Sequence, residues 1–121
     1  MWNWIETMAD ENDDVKRILA KIGKKVRFNY PTKTEGVWEG ILKDRVVITA
    51  PSWTGTMYYD VVDLIEFIRG EKRFEVIRFG YYRKRDKLVW AGQFTLTEPP
   101  ETWKEIFKKA KMKEWFRKIL E

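Results

Sequence analysis

The sequence predicts an α+β fold: a mainly antiparallel, partly barrel-like sheet of about six strands, with a short helix before it and a helix after it. Three observations lead there. Apolar residues recur at helical spacing only towards the two ends, in Val15, Ile18, Leu19 and Ile22 and again from Trp103 onwards. Between the ends they alternate with polar residues in short runs punctuated by Gly, Pro and Asp. Strands grouped between helices favour antiparallel pairing over a βαβ arrangement.

Residues 1–11 read as an acidic arm carrying Trp2 and Trp4, and residues 12–121 as one domain. So much aromatic area is rarely left in water, so the arm is expected to dock on its own domain or on a partner. Asn12 is placed to cap a short helix, with Asp13 and Asp14 in its first turn and Gly23 at its end. Val26, Phe28 and Tyr30 alternate with Lys25, Arg27 and Asn29, a half-buried strand closed by Pro31. Residues 36–42 and 45–50 flank Lys43-Asp44 and read as a tight hairpin. A loop through Trp53 and Gly55 leads to a strand over residues 56–60. Residues 61–68 fit both periods and are read as a strand with a helical turn at one end.

Residues 73–82 and 87–97 form the clearest long hairpin, joined by the basic tip Arg83-Lys84-Arg85-Asp86. Pro99-Pro100 then opens the C-terminal helix. Its apolar residues fall on two stripes, Trp103, Ile106, Phe107 and Ala110 against Met112, Trp115, Phe116 and Ile119, which point roughly 170° apart on one straight helix. Either the helix breaks near residues 110–113, or it is sandwiched, or the second stripe binds another chain. The expected core holds Ile18, Leu19, Ile22, Val26, Phe28, Trp38, Leu42, Val47, Leu64, Trp90, Phe94, Leu96, Trp103 and Phe107. The stretch over residues 18–67, with its short helix, its strand at residues 24–30 and Trp38-Glu39-Gly40 before Leu42, resembles a small SH3- or Sm-type barrel.

Composition removes whole classes of chemistry. The chain has no Cys and no His, so disulfides, thiolate zinc sites and Ser-His-Asp or Cys-His catalysis are excluded. Neither a G-x-G-x-x-G run nor a P-loop occurs, and no cofactor is expected. No stretch reaches the roughly 20 apolar residues of a membrane span, and the start lacks a signal-peptide pattern, so a cytoplasmic location is expected. Abundant Lys, Arg and Glu with scarce Asn and Gln is the bias of heat-adapted proteins.

The net charge of +5 conceals a segregation: residues 1–14 carry −5, residues 15–30 carry +6, and residues 69–87 carry +5. Such blocks either steer a polyanion or neutralise one another. The strongest constellation is Arg78, Arg83, Lys84, Arg85 and Lys87 in or near one hairpin with Tyr81, Tyr82 and Trp90, extended by Lys24, Lys25 and Arg27. Cations hold phosphates and ring faces stack bases, which points to a non-catalytic module binding DNA or RNA. The alternative is a protein-interaction or homodimerisation domain built on Trp2, Trp4, Met112, Trp115, Phe116 and Ile119. Trp53, Tyr58 and Tyr59 form a second aromatic group, read chiefly as the rim of the core. Asp60, Asp63 and Glu66, and the strand pair Glu35 and Glu39, are read chiefly as surface carboxylates. A magnesium nuclease would need such carboxylates to converge.

Overall fold

A computed structural model describes residues 4–29, 37–51, 55–92 and 95–121. Its order is α1 (Trp4–Leu19), β1 (Lys25–Asn29), β2 (Val37–Pro51), β3 (Met57–Arg69), β4 (Lys72–Lys84), β5 (Leu88–Trp90), α2 (Pro100–Ala110) and α3 (Glu114–Arg117), with a 3₁₀ turn at Lys118–Leu120. The strands pair in chain order, β1-β2-β3-β4-β5, each antiparallel to the next. This meander curls into a half-barrel, so the α+β architecture stands, with five strands in place of about six.

Helix α1 starts eight residues before Asn12. Residues 4–11 contain Glu, Met and Ala and neither Gly nor Pro, so nothing stops helix propagation there, and the capping signal at Asn12 is overridden. The helix ends at Leu19, and the turn beyond it leaves both Leu19 and Ile22 at the surface rather than in the core.

The Lys43-Asp44 hairpin does not form. Strand β2 runs straight through it, and a bulge at Lys43 lets Leu42 pair with Ile65 and Asp44 with Leu64. The Arg45 N–H at this bend is satisfied by Asp44 Oδ1 at 2.8 Å. Strand β3 is likewise continuous, without the expected helical turn. Its β-branched and aromatic residues suit a central strand paired on both sides. The second strand of the long hairpin shrinks to Leu88–Trp90, and residues 95–99 leave the sheet.

Strict alternation along β3 sets the two faces. Tyr59 and Val61 pack with Val47 against Ile18 of α1, flanked by Val15, Leu88 and Trp90. Further along the same face Leu42, Ile65 and Phe67 join Val26, Trp38, Phe74 and Val76. On the opposite face Val46 and Val62 meet Ile106, Ala110 and Phe116, with Ile48, Ile77, Trp103 and Trp115 around them.

Of the three arrangements its two stripes left open, the C-terminal helix takes the break. Lys113 is extended, with φ −96° and ψ 129°, and this turns α3 so that Phe116 joins Ile106 and Ala110 in one cluster. Trp115 Nε1 donates to Asp44 Oδ2 at 2.9 Å and Lys113 reaches the same oxygen at 3.1 Å. Burial alone would raise the Asp44 carboxyl, but these bonds and the Arg45 N–H hold it below the usual carboxylate range. Of the expected core, Leu19, Ile22 and Phe107 are exposed. Phe94 and the side chain of Phe28 lie outside the described residues.

Candidate nucleic-acid interface

On the α1 face the alternation of β2, β3 and β4 brings three charges into one row, because Arg45 pairs with Asp63 and Asp63 with Arg78. Arg45 grips Asp63 with two bonds, Nε to Oδ1 at 2.6 Å and Nη2 to Oδ2 at 3.0 Å. From the other side Arg78 Nη2 and Nε donate to Oδ2 at 2.9 and 3.2 Å. Arg45 and Asp63 are almost completely buried. The Arg45 Nη1 donates to the Ile18 carbonyl at the end of α1 at 2.9 Å and to the Tyr82 hydroxyl at 3.0 Å. Burial opposes the charge on Arg45, yet Asp63 and Tyr82 outweigh it and push its pKa above the ordinary arginine value. Two guanidinium groups meet on one carboxylate, and of the three side chains Arg78 is the one that is partly exposed.

Trp90 closes the row. Its ring lies 4.6 Å from the Arg78 guanidinium and 5.9 Å from that of Arg45. The indole sits where a Cβ on Gly80 would be, so Gly80 is what lets β5 fold its tryptophan onto β4. A second buried pair ties α1 to the hairpin: Lys84 Nζ donates to Asp14 at 2.8 and 3.0 Å, and the Tyr59 hydroxyl donates to Asp14 Oδ2 at 2.8 Å.

Above this polar layer lies a cleft of about 420 Å³ between the end of α1 and β4-β5. Arg17, Lys21 and Lys24 line it from the helix side, and Tyr82, Leu88 and Trp90 from the sheet side. Arg85 and Lys87 are exposed in the turn just before Leu88.

The predicted hairpin site therefore divides. Arg78, Tyr82 and Lys84 belong to the buried network beneath the cleft, while Lys24 lines the cleft. Strand alternation puts Tyr81 and Arg83 on the opposite face, where Tyr81 meets Tyr58 edge to face at 5.7 Å. Lys25 and Arg27 are exposed on β1, Arg27 facing Glu39 across the strands at 3.5 Å. Trp90, an aromatic of the predicted constellation, lines the cleft, whereas Arg17 and Lys21 are additions that the sequence did not place there. The polar side of α1 was legible, but only the tertiary fold shows what it faces.

The alternative interface also divides. Phe116 is fully buried and Trp115 packs against the core, whereas Met112 and Ile119 are 75% and 55% exposed. Trp2 and the side chain of Trp4 lie outside the described residues, as do Trp53 and Glu35. Asp60 and Asp63 do not converge, since they sit on opposite faces of β3, and among the described residues no carboxylate group has a metal-binding arrangement. No helix among them is long and apolar enough to cross a membrane.

The chain matches no protein-family model, no curated protein and no solved structure. What the cleft can do rests on its own residues: three exposed cations opposite two rings, over a row of paired charges.

Proposed function

We propose that the chain is a non-catalytic nucleic-acid-binding module whose cleft takes a single strand of DNA or RNA. Arg17, Lys21 and Lys24 hold backbone phosphates, and a base or sugar rests against Tyr82 and Trp90. The observation that carries this reading is the meeting of the two basic segments, the end of α1 and the β4-β5 hairpin, around one aromatic-lined cleft. Exposed lysines attract a polyanion, and ring faces accept any base, which suits sequence-tolerant binding. The Arg45-Asp63-Arg78 row supports it from below by holding the rings in place, through the Arg45 bond to the Tyr82 hydroxyl and the two guanidinium groups beside the Trp90 indole.

The test is fluorescence anisotropy of labelled oligothymidylate and oligouridylate across a sodium chloride series. Affinity should fall steeply with salt as counterions are released. Lys21→Glu combined with Lys24→Glu should weaken binding by about tenfold or more and flatten the salt slope. Undetectable binding at low salt, or binding indifferent to salt, would sink the reading.

One observation favours self-association as a second reading: Met112, Ile119 and Leu120, all beyond α2, are each exposed. Sedimentation velocity should then show a dimer that Ile119→Glu disperses. A monomer at all concentrations removes this alternative.

A further inference from the structure

The opposite face of the sheet holds a larger cavity, of about 570 Å³, between β2, β3 and β4 and the segment leading into α2. Its chemistry runs against that of the whole molecule. The chain carries a net +5, yet Glu98, Glu101 and Glu105 line this cavity and, among the described residues, neither Lys nor Arg does. Tyr58 and Tyr81 form one wall.

Asp60 stands behind that wall. Its cross-strand neighbours Ile48 and Tyr81 both line the cavity, and so does Tyr58, two positions along the same face of β3. The residue is 2% exposed, and neither carboxyl oxygen has a hydrogen-bond partner. The polar group that acts on it is a second carboxyl, Glu98. Burial and this neighbour push the Asp60 pKa up to about 8, so near neutral pH the pair retains a proton. A buried carboxyl without a donor weakens the fold, and an amide or a valine would fill the position without that cost. What it lacks is a donor with positive charge, and the cavity is the route by which one can arrive.

We propose that this cavity binds an organic ammonium group, its N–H donors shared by Asp60 and Glu98 and its alkyl stem lying along Tyr58 and Tyr81. Tyrosine faces attract a cation through their ring quadrupole, and a stem of methylenes matches the apolar part of the lining. Binding exchanges one cation for another: the ammonium enters with its protons, and the proton held by the carboxyl pair leaves to solvent. Glu101 and Glu105 on α2 add negative potential to the lining. This site lies across the sheet from the nucleic-acid cleft and does not depend on it.

The test uses n-butylammonium chloride as the probe, with n-butanol and sodium chloride as controls. Amide and Tyr ring shifts are followed by NMR, and proton release by calorimetry in two buffers of different ionisation enthalpy. Saturable shifts at Ile48, Tyr58, Tyr81 and Thr102, with a Kd of about a millimolar and release of up to about one proton per amine, are expected. Asp60→Asn should remove both the shifts and the proton release, and Glu98→Gln, at a more accessible position, should weaken binding about tenfold. Absence of saturable shifts overturns the proposal. So does equal binding by both variants, or by butanol.

Discussion

Three buried carboxylates show how burial asks different things of the same group. Asp63 lies between two guanidinium groups, Asp14 between Lys84 and the Tyr59 hydroxyl, and Asp60 faces only another acid. Removing one partner of a buried pair leaves an uncompensated charge. Arg45→Met is therefore expected to cost about 3–5 kcal/mol in urea denaturation, less if Asp63→Leu accompanies it. Asp60 behaves in the reverse sense. Its folded pKa, about 8, lies above its ordinary 3.8, so its contribution to stability is complete below about pH 4 and is lost as pH rises towards 8. Asp60→Asn should remove that decline and gain about 1–3 kcal/mol at pH 8, since its amide can donate to Glu98. Unfolding curves of the two proteins that stay parallel from pH 4 to 8 would contradict this. None of these partnerships was legible in the sequence, where Asp60, Asp63 and Glu66 read as surface acids. A period of two separates Asp60 from Asp63, but only the sheet order says what faces each.

Among the elements, the errors and successes share one cause. Periodicity was legible wherever it stayed in phase: β1 and β4 follow from residue spacing, the start of α2 from Pro99-Pro100, and the break after Ala110 is one of the three arrangements the two stripes allowed. At Lys43 the phase jumps. Trp38, Gly40 and Leu42 share a face with Arg45 and Val47, and the shift from even to odd positions looks, in sequence, like a turn between two strands. Gly40 leaves no room for a side chain against β3. An added Cβ would meet the Glu66 carbonyl oxygen at 2.8 Å and Phe67 Cδ1 at 2.9 Å. Gly40→Ala should thus destabilise by about 1–3 kcal/mol, because backbone cannot step aside as a side-chain tip can. Phe116→Ala should cost about 3–5 kcal/mol, the mark of a core residue rather than an interface residue. Both values come from thermal or urea unfolding, and a neutral Phe116→Ala would detach α3 from the fold described.

For the whole molecule, two layers of helix cover the two faces of one sheet, and their charges are opposed. The cleft beneath α1 is basic, while the cavity beneath the entry to α2 is acidic. Net charge alone would predict polyanion binding anywhere on the surface. A charge-matched pair of variants separates field from site. Arg17, Lys21 and Lys24 changed to Glu should abolish most oligonucleotide affinity, whereas Lys104, Lys108 and Lys111 on the outer side of α2 changed to Glu should reduce it only by about two- to threefold. Equal losses would mean that the protein attracts nucleic acid without a defined seat.

The extra residue in β2 carries a last implication. Without Lys43, Leu42 would still oppose Ile65 and Asp44 would still oppose Leu64, so each side chain would keep its present side. Only the kink would go, and with it the local twist that a spare residue introduces. A one-residue deletion there would be an edit to shape alone: the ribbon would unroll towards a flat plate, lifting the end of α1 away from Tyr82 and widening the groove between them.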